Sequence, residues 1–141
     1  MRLTHETVLE GVAVSLREQI APNLSDAFAA DAARMAQMLI TIVSRASDDA
    51  AAIRVDENAR MRELLGQGGV LLDDTELVEA GLSADPGLKI SQLDAETGRL
   101  RILLVSLQTR LELQDAPEAL ALDQAIWQAL RDFEMARAPR A

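Results

Sequence analysis

The chain carries one histidine, His5, and no cysteine. That inventory closes most metal and nucleophile chemistry. Disulfides, thiolate zinc sites, iron–sulfur clusters and cysteine nucleophiles need sulfur that is not there. A di-iron bundle needs a Glu-x-x-His pair on each of two helices, and a catalytic zinc needs three protein ligands. His5 alone builds neither, so it reads as a solvent-facing residue of a first helical turn, and no bound cofactor or metal is expected. Ser15, Ser44 and Ser106 fall inside helical patterns, without a second histidine to activate them and without a Gly-x-Ser-x-Gly elbow. Gly66-Gln67-Gly68-Gly69 lacks the Gly-Lys-Ser/Thr ending of a phosphate loop, so it reads as a flexible linker. Met35, Met38 and Met61 could line an adaptable pocket, but at helical spacing they read as core.

Carboxylates remain. Glu76 and Glu79 stand three apart, the spacing with which all-α nucleotide pyrophosphatases hold magnesium on helix faces, and Asp94 is the third candidate ligand. No second Glu-x-x-Glu or Glu-x-x-Asp follows on later helices, and Asp94 and Glu96 point to different sides. The other charges find partners at helix-neighbour spacing: Arg45 with Asp49, Asp56 with Arg60, Glu96 with Arg99, Glu134 with Arg137. That pattern predicts a solvated charged surface. A net charge of −9, with 13 arginines and one lysine scattered among 23 acidic residues, opposes binding to phosphate backbones.

The elements that would hold these residues are helices. Among 141 residues are 24 alanines and 22 leucines but only three aromatic side chains, Phe28, Trp127 and Phe133. Helix formers dominate and strand formers are scarce. The length fits one domain, 1–141. Val8, Leu9, Val12, Leu16 and Ile20 predict an apolar helix face from Thr4 to Ile20, ended by Pro22. Asn23 or Ser25 would cap the second helix, where Phe28, Ala32, Met35, Leu39, Ile42 and Val43 share a face surrounded by small alanines that let a neighbouring helix approach closely. That helix breaks either at Ser47-Asp48-Asp49 or at Asp56. Ile53, Met61, Leu64 and Leu65 continue as helix, which Gly66 closes. A short helix over Asp73–Ala80 ends at Gly81. Ser91 caps the next helix, where Leu93, Thr97, Leu100, Leu104, Leu107 and Leu111 form a heptad-like seam. Asp115-Ala116-Pro117-Glu118 has the form of a capping box for the last helix, with the face Ala119, Leu122, Ile126, Leu130 and Phe133. The expected fold class is all-α, a four-helix bundle with an extra short helix in the central connector. Its parts are a helical hairpin over 4–66, a connector over 67–90 and a second hairpin over 91–136.

Ile102, Val105 and Leu113 widen the apolar circumference of the fifth segment beyond one seam, which makes them interface candidates for a homodimer. The longest uncharged run is ten residues, Met35–Ser44, well short of a membrane span. Glu6 and Glu10 interrupt any leader-like stretch, which points to a cytoplasmic protein. The excess of arginine over lysine, with abundant alanine, suggests a bacterial genome rich in G and C.

Leu9-x-x-Val12-x-x-x-Leu16-x-x-x-Ile20-x-Pro22-x-Leu24, then Phe28, Ala32-Ala33, Ile42-Val43 and Met61-Arg62-Glu63-Leu64-Leu65-Gly66, resemble an uncharacterised bacterial helical family over residues 4–66. Its members are commonly encoded beside kinases resembling aminoglycoside phosphotransferases and beside acyl-CoA dehydrogenases. The resemblance implies an accessory role near such enzymes and transfers no catalytic residue. Together these readings predict a non-catalytic helical accessory or interaction protein. The alternatives are a small magnesium-dependent hydrolase at Glu76, Glu79 and Asp94, or a bundle that binds an acyl chain.

Overall fold

The computed structural model describes residues 2–139, and among them every regular element is helical. In chain order these are α1 (His5–Ser15), α2 (Ala27–Ser47), α3 (Ala50–Leu71), α4 (Thr75–Gly81), α5 (Ile90–Leu111) and α6 (Pro117–Arg137). The chain divides into two compact units. One runs to Ala50 and contains α1 and α2; the other is Ala51–Ala138 and holds the remaining helices.

In the first unit Thr4 caps α1, its hydroxyl accepting from the Thr7 N–H at 3.1 Å. Pro22 shapes the passage from α1 to α2. It has no N–H to continue an i→i−4 ladder, and its ring crowds the carbonyl four residues back. The chain widens into a π turn over Leu16–Ile20, where the Ala21 N–H reaches the Leu16 carbonyl, and then tightens to a 3₁₀ turn over Ala21–Asn23. Asn23 does not cap the next helix. Its side-chain amide donates to the Gln19 carbonyl at 2.7 Å, while Asp26, neither Asn23 nor Ser25, accepts from the Phe28 N–H and starts α2. The break between α2 and α3 falls at Asp48 and Asp49, not at Asp56.

This hairpin turns its helices the other way from the expected pattern. Ala30 and Ser44 are the buried residues of α2, and Ala13 is the buried residue of α1. Phe28, Met35, Leu39 and Val43 are exposed, as are Val8, Val12 and Ile20; Leu9, Leu16 and Ile42 are half-buried. Small side chains let two backbones approach closely, so α1 and α2 meet across alanine and serine and leave their larger residues outside.

The second unit has the core. Met61, Leu64 and Leu65 of α3, Leu77 and Ala80 of α4, Leu100, Leu104, Leu107 and Leu111 of α5, and Ala119, Leu122, Ile126, Ala129 and Phe133 of α6 form one buried cluster. The leucine seam is buried at every position from Leu93 to Leu111, with Thr97 in its gap. Leu130 packs against the cluster and Trp127 stays exposed.

Three local expectations fail here. Gly66 does not end α3: the helix continues through Gly68 and Gly69 to Leu71. It ends in a Schellman turn, with the Asp74 N–H on the Gly69 carbonyl at 2.8 Å and Asp73 in the left-handed region at φ 53°. The glycines serve close packing. A Cβ on Gly68 would lie 2.5 Å from the Leu107 methyls, and one on Gly69 would lie 2.6 Å from the Val78 backbone nitrogen. Ser91 is not the cap of α5. The helix starts one residue earlier, and the Gln92 side chain accepts from the Lys89 N–H at 3.3 Å. Asp115 does not cap α6, whose N-cap is Ala116 with Pro117 in the first turn.

Candidate functional site

Within the second unit the polar chemistry gathers where α3 and α5 face each other. The core side of α3 carries Glu57, Asn58 and Arg62 beside Met61 and Leu65, all buried. Arg62 donates to Glu96 of α5 at 2.8 Å, to Asp85 of the α4–α5 connection at 2.8 Å and to the Ser83 hydroxyl at 3.1 Å. The Asn58 amide reaches Asp85 at 3.0 Å, and its carbonyl oxygen lies 2.6 Å from the Thr97 hydroxyl. Arg99 grips Glu96 from the solvent side at 2.7 Å. Glu57 takes Arg101 of α5 on one oxygen and Arg137 of α6 on the other, each at 2.7 Å. Arg110 pairs with Asp74, the N-cap of α4.

The electrostatics result from this pairing. The Arg99 hydrogen bond holds the Glu96 carboxyl below the usual glutamate range; burial opposes the shift and Arg62 adds to it. Arg99 is raised in turn, first by its hydrogen bond to Glu96. Asp74 is lowered, first by Arg110 and then by the Leu77 N–H. A general base needs a carboxylate that can pick up a proton near neutral pH. Glu96 and Asp74 are pushed the other way, and the pairs of this network tie one helix to another.

Helix-neighbour spacing anticipates part of this. Glu96 pairs with Arg99, but Arg60 pairs with Glu63 rather than Asp56. Arg137 reaches back to Glu57 and lies 4.0 Å from Asp94, instead of pairing with Glu134. The expected solvated surface is, for Glu57, Arg62 and Glu96, a buried network. The available signal was Thr97, a polar residue in a leucine seam, together with Glu57, Asn58 and Arg62 at core spacing on α3.

Glu76, Glu79 and Asp94 are not brought together as a metal site. Among the described residues no group of three or more His, Cys, Asp or Glu side chains is placed to hold an ion. Glu76 and Glu79 are exposed on α4, and Asp94 is held by Arg54 at 2.6 Å. A guanidinium on that oxygen competes directly with a cation.

Two apolar surfaces of this unit remain open. A groove of about 740 Å³ runs between the C-terminal half of α3 and the N-terminal half of α6. Gly66, Val70, Leu71, Ala121, Leu122 and Ala125 line it, with Gln67 and Glu118 as its polar side chains. It exists because glycine and alanine occupy positions where larger residues would fill the space. The other surface is on and after α5. Ile102, Val105 and Leu113 are 73%, 61% and 80% exposed, the first two on the helix and Leu113 in the turn after it. In the first unit α2 presents its own apolar face, with Phe28, Met35, Leu39 and Val43 exposed.

No helix among the described residues is long and apolar enough to cross a membrane. No family model, no curated protein and no solved structure matches the chain.

Proposed function

We propose that this is a non-catalytic helical accessory protein that works in the bacterial cytoplasm by binding protein surfaces, with a homodimer as its basic form. The observation that carries this reading is the apolar surface left on helices that are already well formed. Phe28, Met35, Leu39 and Val43 on α2, and Ile102 and Val105 on α5, are large apolar side chains exposed in clusters. Clusters of this kind mark contact sites on soluble proteins. Glu57 and Glu96, by contrast, are engaged by arginines. The resemblance over residues 4–66 adds acyl-CoA dehydrogenases and phosphotransferase-like kinases as partners to test. Light scattering at micromolar concentration, alone and with such enzymes, should give masses above that of the 15.3 kDa chain. A strict monomer that joins none of them sinks the reading.

The groove between α3 and α6 favours a second reading, an acyl-chain carrier. Its volume falls within the ~300–1,000 Å³ of small-molecule sites, and its lining is mostly aliphatic. Glu118 would repel a free fatty-acid carboxylate, so a neutral or esterified chain fits better. Ala125→Phe should fill the groove and abolish displacement of an apolar fluorescent probe by acyl chains. Unchanged displacement would place the chain elsewhere.

A further inference from the structure

The outward face of α2 lies opposite the side that meets α1. At 100° per residue, Ala30, Ala33, Gln37 and Ser44 share the inner face, all buried or half-buried. Phe28, Met35 and Leu39, at 83%, 60% and 53% exposure, share the outer one, with Met38 at its edge. Amphipathic surface helices put such a stripe toward a core. Within the hairpin no core covers it: the hairpin's own buried residues are Ala13, Ala21 and Ala30 with Ser44. A stripe of exposed apolar side chains of this kind marks a contact site.

The charges beside the stripe select its occupant. Asp31, Met38 and Arg45 are spaced seven apart along α2 and share one edge of the outer face. Asp31 and Arg45 are both exposed, and Asp31 already pairs with Arg34 one turn along its own helix at 2.8 Å, an exposed pair that Arg45 of a second copy can join. In an antiparallel pair of α2 helices with the two-fold axis at Met38, Asp31 of each copy falls beside Arg45 of the other. In a parallel pair the two-fold axis carries this edge to the opposite side of the seam, so Asp31 and Arg45 of the two copies would not meet. The antiparallel arrangement also sets each helix N-terminus against the other's C-terminus, which opposes their dipoles favourably. We propose that a second copy of this chain covers the outer face of α2, helix against helix, antiparallel about Met38. This rests on the interaction reading and names its partner and its surface; Ile102 and Val105 of α5 are then left free for other contacts.

Sedimentation equilibrium of the full chain, with helix content followed by circular dichroism, tests it. The wild type should weigh twice 15.3 kDa at micromolar concentration. Leu39→Glu should raise the dimer dissociation constant about tenfold or more with helix content unchanged. Arg45→Asp should weaken the dimer, and adding Asp31→Arg to it should restore the affinity, because both pairs are then reversed together. Both reversals are on exposed positions, so they report on pairing even where Leu39→Glu perturbs the fold. A monomer at about 100 µM overturns this inference and the homodimer together. A dimer indifferent to Leu39→Glu but split by Val105→Glu overturns this surface while keeping self-association. A double reversal no tighter than Arg45→Asp alone overturns the antiparallel register.

Discussion

Glu96 sits between two guanidiniums, one buried and one facing solvent, and its carboxyl is held below the ordinary glutamate value of about 4.3. The unfolded chain therefore binds this proton more readily than the folded one, and stability rises with pH across that interval. The contribution of Glu96 is complete above the unfolded pKa and is lost as pH falls through the lower folded value. Glu96→Gln should cost about 1.5–3 kcal/mol at pH 7, and the gap to wild type should narrow as the pH falls below about 4.3. Urea midpoints at pH 7 and about pH 3 check this; a gap that stays constant would detach Glu96 from the acid response. Arg62 is the harder loss. Removing it leaves Glu96 without its buried partner and withdraws one of two donors from Asp85, so Arg62→Ala should cost about 3–5 kcal/mol in the same titration.

At the scale of the elements, glycine has opposite meanings in two helices. Alanine is ordinarily favoured over glycine in a helix by about 1 kcal/mol. Gly98 on α5 has open space around a Cβ, so Gly98→Ala should stabilise by about 0.5–1 kcal/mol. Gly69 on α3 has Val78 backbone within 2.6 Å of that position, so Gly69→Ala must push α4 away and destabilise. Paired thermal melts of the two variants should move in opposite directions; a stabilising Gly69→Ala would mean that α3 and α4 do not pack closely there. The burial of α5 supplies the second test. Leu104 lies inside the cluster that joins α3, α5 and α6, and Leu104→Ala should cost about 2–5 kcal/mol in urea unfolding. A cost below about 0.5 kcal/mol, the range of surface sites, would remove Leu104 from the core.

For the whole molecule, the two units differ in what holds them. The second has a leucine core and an arginine–carboxylate network, while the first has alanines between two helices and an apolar face outside. If a second copy covers that face, part of the stability of the first unit depends on protein concentration by mass action. Calorimetry over a hundredfold concentration range should then show a lower-temperature transition that rises with concentration and a later one that does not. A single transition independent of concentration would speak against a dimer held through α2.

Helix content, the leucine seam of α5, the start of α1 at Thr4 and the short α4 were legible in the sequence, because propensity, 3.6-residue periodicity and local capping act within a few residues of each other. The absence of thiols and of a histidine cluster also closed most metal and nucleophile chemistry without any structure. The glycines of α3 were not legible: Gly68 and Gly69 read as linker, and only the approach of Leu107 and Val78 shows why side chains are excluded there. Nor were the partners of Glu57, Arg62 and Arg137, since pairs 21 to 80 residues apart leave no periodic trace. The apolar stripe of α2 was correctly found by period, but period says only that a face is apolar. Which side meets α1 is decided by the fit of two helix surfaces, and alanine, allowing closer approach, took the inside.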